Sequence, residues 1–288
     1  MLLAGTCTVV EYKRFRGTPG PKPITDGPIF PIHAGKNFVV TGGTGGLGMV
    51  TAELLASEGA RVVLADRDPA AVEATVEKLG GEAAGFLGVE LDLLDWASIE
   101  RAASASARLL GRIDGLANVA GVAGMAPALE HTREMWDLHF GVNLFGTFEL
   151  TRQIALGMVE HGEGGAIVNV ASEAGKVGHA DMVAYNASKA GVVNISRVLA
   201  LEWAPFGINV NCVCPGGIDT PMLRGVADDL SKMSGQAADD IYTIMEIEQL
   251  GRHVAPMEVA MTISFLLGNR VQAIRGVAIN VDGGGVPY

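Results

Sequence analysis

The chain has 288 residues, of which 49% are hydrophobic and 18% charged, enough apolar material for a sizeable core in one large α/β domain or two small ones. A formal net charge of −11 argues against nucleic acid or an anionic membrane surface as a partner. Three cysteines, two of them in a C-V-C pair (Cys212, Cys214), make neither a disulfide framework nor a zinc pattern, and that pair reads as small buried hydrophobes on one strand face.

Residues 1 to about 35 form a Pro/Gly-rich stretch, "GTPGPKPITDGPIFPIHAG", which cannot be a regular helix. "TCTVVEYKRF" before it could be a short strand. The region reads equally well as an arm lying on the domain or on a neighbouring subunit, and as a loose tail. The opening "MLLAGTCTVV" lacks a basic n-region and no apolar run is long enough to span a membrane, so the expectation is a soluble, cytoplasmic protein.

From Asn37 onward, residues 36–288 alternate short apolar runs with helical stretches. "NFVVT" precedes the helical "LGMVTAELLASEG"; "ARVVLAD" precedes "PAAVEATVEKLG", with Pro69 near its start. "FLGVELD" and "WASIERAASASARLLG" make a third pair. "IDGLANVAG" is a fourth strand, followed by a long helical region from about Thr132 to Glu160. "GAIVNVAS" and "GINVNCVCPGG" are the fifth and sixth strands, and "MEVAMTISFLLG" with "GVAINVDGG" closes the series. Strands rich in Val, Ile and Leu, each followed by a helix, predict a single domain of Rossmann-like, doubly wound α/β architecture, with about seven parallel strands and helices on both faces.

"VVTGGTGGLG" joins the first strand to the first helix, with Gly42, Gly46 and Gly48 spaced G-x-x-x-G-x-G. At a strand-to-helix turn, missing side chains let the backbone approach a pyrophosphate, and the helix N-terminus offers N–H donors. A tight turn that needs only glycine's freedom is the plainer reading. The second strand ends in Asp66, 24 residues after Gly42. An acid there accepts hydrogen bonds from ribose hydroxyls and repels a 2′-phosphate, which favours NAD over NADP. Arg67 beside it pulls the other way, since an arginine can pair with that phosphate.

"YNASK" places Tyr185 and Lys189 four residues apart, on one helical face. Facing a cofactor, Lys189 would draw the phenol down from its usual value of about 10. Ser172 ends the fifth strand, and the carboxyl ends of parallel strands form the ligand crevice.

In these motifs together the chain resembles the short-chain dehydrogenase/reductase family over about residues 36 to 285. The motifs are "TGGTGGLG" at 41–48, Asp66, Asp92 in "ELDLLD", "NVAG" at 118–121, Asn143 in "GVNLFGTF", Ser172, "YNASK" at 185–189, "PGGIDT" at 215–220 and "VDGG" at 281–284. Val119 stands where the family usually has a second Asn, and Arg275 where it often has Thr. The resemblance implies catalytic roles for Asn143, Ser172, Tyr185 and Lys189. Tyr185 would be the general acid or base, Ser172 would orient the substrate oxygen, Lys189 would bind the nicotinamide ribose, and Asn143 would hold a relay water. It implies a cofactor site made of Gly42, Thr44, Gly46, Leu47, Gly48, Asp66, Arg67, Asp92, Leu93, Asn118, Ala120, Gly121, Tyr185, Lys189, Pro215, Gly216, Ile218 and Thr220. It also implies a homotetramer, with no metal involved.

Substrate should meet residues 121–130, 173–184 and a long loop at about 221–248. The acids at 228, 229, 239 and 240 read as a solvated face, and Lys176 and His179 as exposed loop residues. No Lys/Arg cluster near Ser172 points to an anionic substrate, which leaves a neutral secondary alcohol or ketone, with diols and alicyclic alcohols among the candidates. The alternatives are an NADPH-linked 3-oxoacyl-carrier reductase and a catalytically silent nucleotide-binding regulator on the same fold.

Overall fold

A computed structural model describes residues 31–268 and 270–286; the early "TCTVVEYKRF" strand and most of the arm lie outside the described residues. Seven strands make one parallel sheet: β1 (Asn37–Thr41), β2 (Arg61–Asp66), β3 (Phe86–Glu90), β4 (Gly115–Asn118), β5 (Gly165–Val170), β6 (Ile208–Pro215) and β7 (Ala278–Val281). Their spatial order is β3-β2-β1-β4-β5-β6-β7, parallel throughout. The order reverses between β1 and β4, so a crevice opens beyond their carboxyl ends.

The strands read as unbroken apolar runs because both faces are buried. Along β1, Val39 joins a layer with Val63, Leu116, Ile99 and Leu150, while Phe38 and Val40 join one with Val62, Leu64, Leu55 and Ile263. The first layer is closed by α3 (Trp96–Leu110) and α5 (Thr147–His161), the second by α1 (Gly46–Ser57) and α9 (Pro256–Leu267). The first, α1, opens on the glycine turn, and α2 (Pro69–Lys78) starts at an Asp68 cap whose carboxylate accepts the Ala70 and Ala71 N–H groups at 3.0 and 3.3 Å.

The stretch expected to be one long helix is α4 (Arg133–Phe140), a π-helical turn at Gly141–Gly146, and α5. Gly146 lets this turn touch the β3–α3 connection: a Cβ there would lie 2.2 Å from the Leu93 carbonyl oxygen. The structure corrects the expected loop at 221–248, which is two helices, α7 (Pro221–Ser234) and α8 (Ala238–Ile244). Pro221 at the first turn and Gly235, left-handed at φ 75°, bound α7. The remaining long helix, α6 (Val183–Glu202), carries the Tyr185/Lys189 pair. Cys212 and Cys214 are buried on β6 as expected. Among the described residues no helix is long and apolar enough to cross a membrane.

Candidate active site

One cavity of about 630 Å³ runs along the crevice from the glycine turn to α6 and α7. Gly42, Thr44, Gly46, Leu47, Gly48, Asp66, Ala120, Gly121, Ser172, Tyr185, Lys189, Pro215, Gly216, Ile218 and Thr220 all line it. Fifteen chain-distant expectations thus converge on one wall.

The glycine turn is a close-packed cradle. A Cβ on Gly48 would sit 2.0 Å from the Gly42 carbonyl oxygen, and Gly42 adopts φ 66° with a Cβ site 3.0 Å from Ala120 backbone atoms. No larger residue fits either position without opening the turn. Thr41 ties the turn to the next strand, its Oγ1 accepting the Val119 and Ala120 N–H groups, both at 3.0 Å. Backbone donors at the start of α1, with no side chain over them, fit a pyrophosphate.

At the end of β2, Asp66 accepts two bonds from Thr44 through one carboxylate oxygen, N–H at 3.1 Å and Oγ1 at 2.6 Å, and the Arg67 N–H through the other at 2.7 Å. These bonds fix the side chain in the cavity lining. The Arg67 side chain is exposed and does not line the cavity, and neither do Asp92, Leu93 or Asn118. Asp92 serves the β3–α3 turn, accepting the Leu94 N–H at 2.9 Å and donating its own N–H to Ser98 Oγ at 3.0 Å. The Asn118 side chain turns into the core instead, donating to Thr151 Oγ1 at 2.7 Å and Asn169 Oδ1 at 2.8 Å.

At the other end Ser172 and Tyr185 line the cavity together, with the Ser172 hydroxyl near enough to act on the ionisation of the phenol. Ser172 Oγ also accepts the Ala174 N–H at 3.1 Å, which fixes its rotamer. Lys189 donates to the Val170 carbonyl at 3.0 Å, and its Nζ lies 5.8 Å from the Tyr185 ring centre. Asn143 sits in the π turn, a device that re-aims one side chain in a helix. It clasps Val122, accepting its N–H at 2.8 Å and donating to its carbonyl at 3.0 Å, and donates to Ser188 Oγ at 3.0 Å. Asn143 Oδ1 and Lys189 Nζ face one point over Gly121, 3.2 and 3.3 Å from where its Cβ would be. The two polar groups can thus share one small partner there.

Charge in this end differs from the expectation that Lys189 lowers Tyr185. Burial pushes the phenol up, with the Ser172 hydroxyl opposing and the Glu173 charge adding to the rise. Burial also weakens the Lys189 ammonium, to about 8. In the chain by itself the phenol is therefore a firmly held acid.

Of the two residues read as exposed, His179 is exposed but lines the cavity, and Lys176 is half-buried, donating to the Ala278 carbonyl at 2.7 Å and Asn280 Oδ1 at 2.5 Å, a staple to β7. Sequence reasoning named the 173–184 segment but did not single out Glu173, which also lines the cavity. Met222, Leu223, Val226 and Met245 roof it from α7 and the end of α8. Arg224, stacked 3.4 Å from the Tyr242 ring centre, and Tyr242, donating to Asp219 Oδ1 at 2.5 Å, tie that roof to the segment after β6.

Known proteins align with this arrangement. The family model described as short chain dehydrogenase matches residues 36–231. D-threitol dehydrogenase of Mycolicibacterium smegmatis is 38% identical over 250 residues, 87% of this chain and 92% of that one. NAD-dependent glycerol dehydrogenase of Listeria innocua is 36% identical over 251 residues, 86% of this chain and 93% of its own. A crystal structure of a variant actinorhodin polyketide ketoreductase with NADPH superposes with a TM-score of 0.82 at 35% identity, covering 88% of this chain and 98% of that one.

Proposed function

The chain belongs to the short-chain dehydrogenase/reductase family and is an oxidoreductase; from that premise we propose that it interconverts a neutral secondary alcohol and its ketone with NAD. The observation that carries the chemistry is that Ser172, Tyr185 and Lys189 share the wall of the cavity that starts at the glycine turn, with the Lys189 ammonium 5.8 Å from the Tyr185 ring centre. The dinucleotide supplies the hydride transfer when bound. Everything else is placement and proton movement by side chains.

Tyr185 gives its proton to the oxygen of a ketone being reduced, or takes it from an alcohol being oxidised. Ser172 donates to the same oxygen and holds it against the phenol. Lys189 favours the phenolate during exchange, from across the ring face, and binds the nicotinamide ribose. Asn143 holds a relay water beside Lys189. Asp66 binds the adenosine ribose hydroxyls, and the segment from Pro215 to Thr220 the nicotinamide end. The fixed Asp66 carboxylate supports NAD, as does the NAD-dependent glycerol dehydrogenase among the relatives; Arg67 and the NADPH-bound ketoreductase favour the opposite choice. The exposed apolar side chains Leu138, Phe145, Leu156 and Val159 on α4, the π turn and α5 support self-association, for which a homotetramer is the proposed form.

Reduction of NAD by the purified protein, with a panel of secondary alcohols, tests the reading. Tyr185→Phe should lower kcat at least ~10²-fold; undiminished turnover would remove Tyr185 from the mechanism. NADP used better than NAD by the wild type would overturn the cofactor choice, and Asp66→Ala should narrow the preference.

A further inference from the structure

Glu173 follows the catalytic serine directly, and the short 3₁₀ turn Glu173–Gly175 holds it in the cavity wall. Only 22% of its side chain is exposed. One carboxyl oxygen packs against two glycines: a Cβ on Gly216 or Gly285 would lie 3.1 or 3.2 Å from Oε2. The other lies 3.6 Å from His179 Nε2, beyond hydrogen-bond distance. Among the described residues nothing donates a hydrogen bond to this carboxyl. Its neighbour Asp282 is the opposite case, accepting from the Gly284 N–H, the Val286 N–H and Asn280 Nδ2 at 3.0, 3.0 and 3.1 Å. A largely buried carboxyl with vacant acceptor positions in the cavity wall is placed to take a donor from a bound molecule.

We propose that Glu173 is the specificity-determining residue of the cavity, accepting a hydrogen bond from a second hydroxyl of the substrate, so that diols and polyols are preferred over simple secondary alcohols. The inference rests on the alcohol-oxidising reading above. A hydroxyl suits the site better than an ammonium for a chemical reason. Burial, with the Asp282 charge adding to it, pushes Glu173 up to about 7, so acid and carboxylate coexist near neutrality. A hydroxyl donates to the carboxylate and accepts from the acid, whereas an ammonium serves only the carboxylate. A substrate without the second hydroxyl leaves the carboxyl desolvated and unpaired, and that penalty creates the discrimination.

The test compares propylene glycol with isopropanol, which differ by one hydroxyl, and with isopropanolamine as the cationic analogue. Wild-type protein should show a higher kcat/KM for propylene glycol than for either. Glu173→Leu should cut the propylene glycol to isopropanol ratio by roughly 10- to 100-fold, the worth of one hydrogen bond to a charged group. Glu173→Gln keeps an acceptor oxygen at the same reach and should retain part of the ratio. Calorimetric titration with NAD establishes that each variant is folded. An unchanged ratio in both variants overturns the inference, and so does a preference for isopropanolamine. If wild type turns over neither alcohol, the proposed function fails by itself. Glu173 is then judged by equilibrium binding of propylene glycol to the NAD-loaded protein: weaker binding to Glu173→Leu supports the inference, and equal binding overturns it.

Discussion

Gly48→Ala probes the glycine turn through geometry alone. The added methyl would start 2.0 Å from the Gly42 carbonyl oxygen and 2.6 Å from its carbon, and both obstacles are backbone. Carbon and oxygen tolerate little under about 3 Å, so the turn must open by on the order of 1 Å. Strain of that kind costs about 1–3 kcal/mol of fold stability, or roughly 2–4 °C of Tm per kcal/mol in a chain this size. The larger effect falls on ligand binding. A 1 Å displacement takes at least one backbone N–H out of range of a phosphate oxygen, and a hydrogen bond to a charged group is worth about 1.5–3 kcal/mol. NAD affinity should therefore fall at least ~10-fold. Calorimetric titration well below the melting temperature separates affinity from stability. A folded Gly48→Ala protein that binds NAD within a factor of about two of wild type would refute the claim that this turn cradles the pyrophosphate.

A second prediction concerns His33, 1% exposed beneath α9, whose Nε2 lies 3.0 Å from Ser264 Oγ while that hydroxyl donates to Glu58 at 2.5 Å. Burial lowers His33 from 6.5 to about 4, so the unfolded chain binds the proton first as pH falls, and stability present above about 6.5 is lost towards 4. The gap amounts to about 3 kcal/mol, with Glu58, raised by burial, offsetting part of it at the acidic end. Urea unfolding at a series of pH values should show the difference between wild type and His33→Gln shrinking as pH falls, and a constant difference sinks the idea. Separately, Gly157 lies inside α5 with nothing within 4 Å of its Cβ position, so Gly157→Ala should stabilise the fold by about 1 kcal/mol, read as a raised Tm. A lowered Tm would mean an unseen contact at that position.

The strands were legible because apolar runs such as Val62–Ala65 are both the sequence signal and the physical cause of burial on two faces. The helices of the roof were not, although Pro221, Gly235 and the spacing of Leu223, Val226, Ala227 and Leu230 mark α7. Their apolar face covers α8 and the cavity rather than the sheet, and interspersed Gly, Asp and Ser weaken the periodicity. Asn143 was legible as part of a motif, yet the π turn that aims it depends on Gly146 resting on Leu93. Lys176 was misread because nothing local says whether a polar residue meets water or β7.

What the sequence determined by itself is the order of elements, the glycine turn and the residue types brought to the strand ends, since each is encoded within a few consecutive residues. Only the tertiary structure decided which of those residues share a wall, that Asn118 and Asp92 turn away from it, and that Glu173 stands there without a donor. Desolvation and charge at Glu173 come from Gly216, Gly285 and Asp282, 43 to 112 residues further along the chain. Local pattern carries no record of neighbours so remote, and burial by them sets protonation and binding alike.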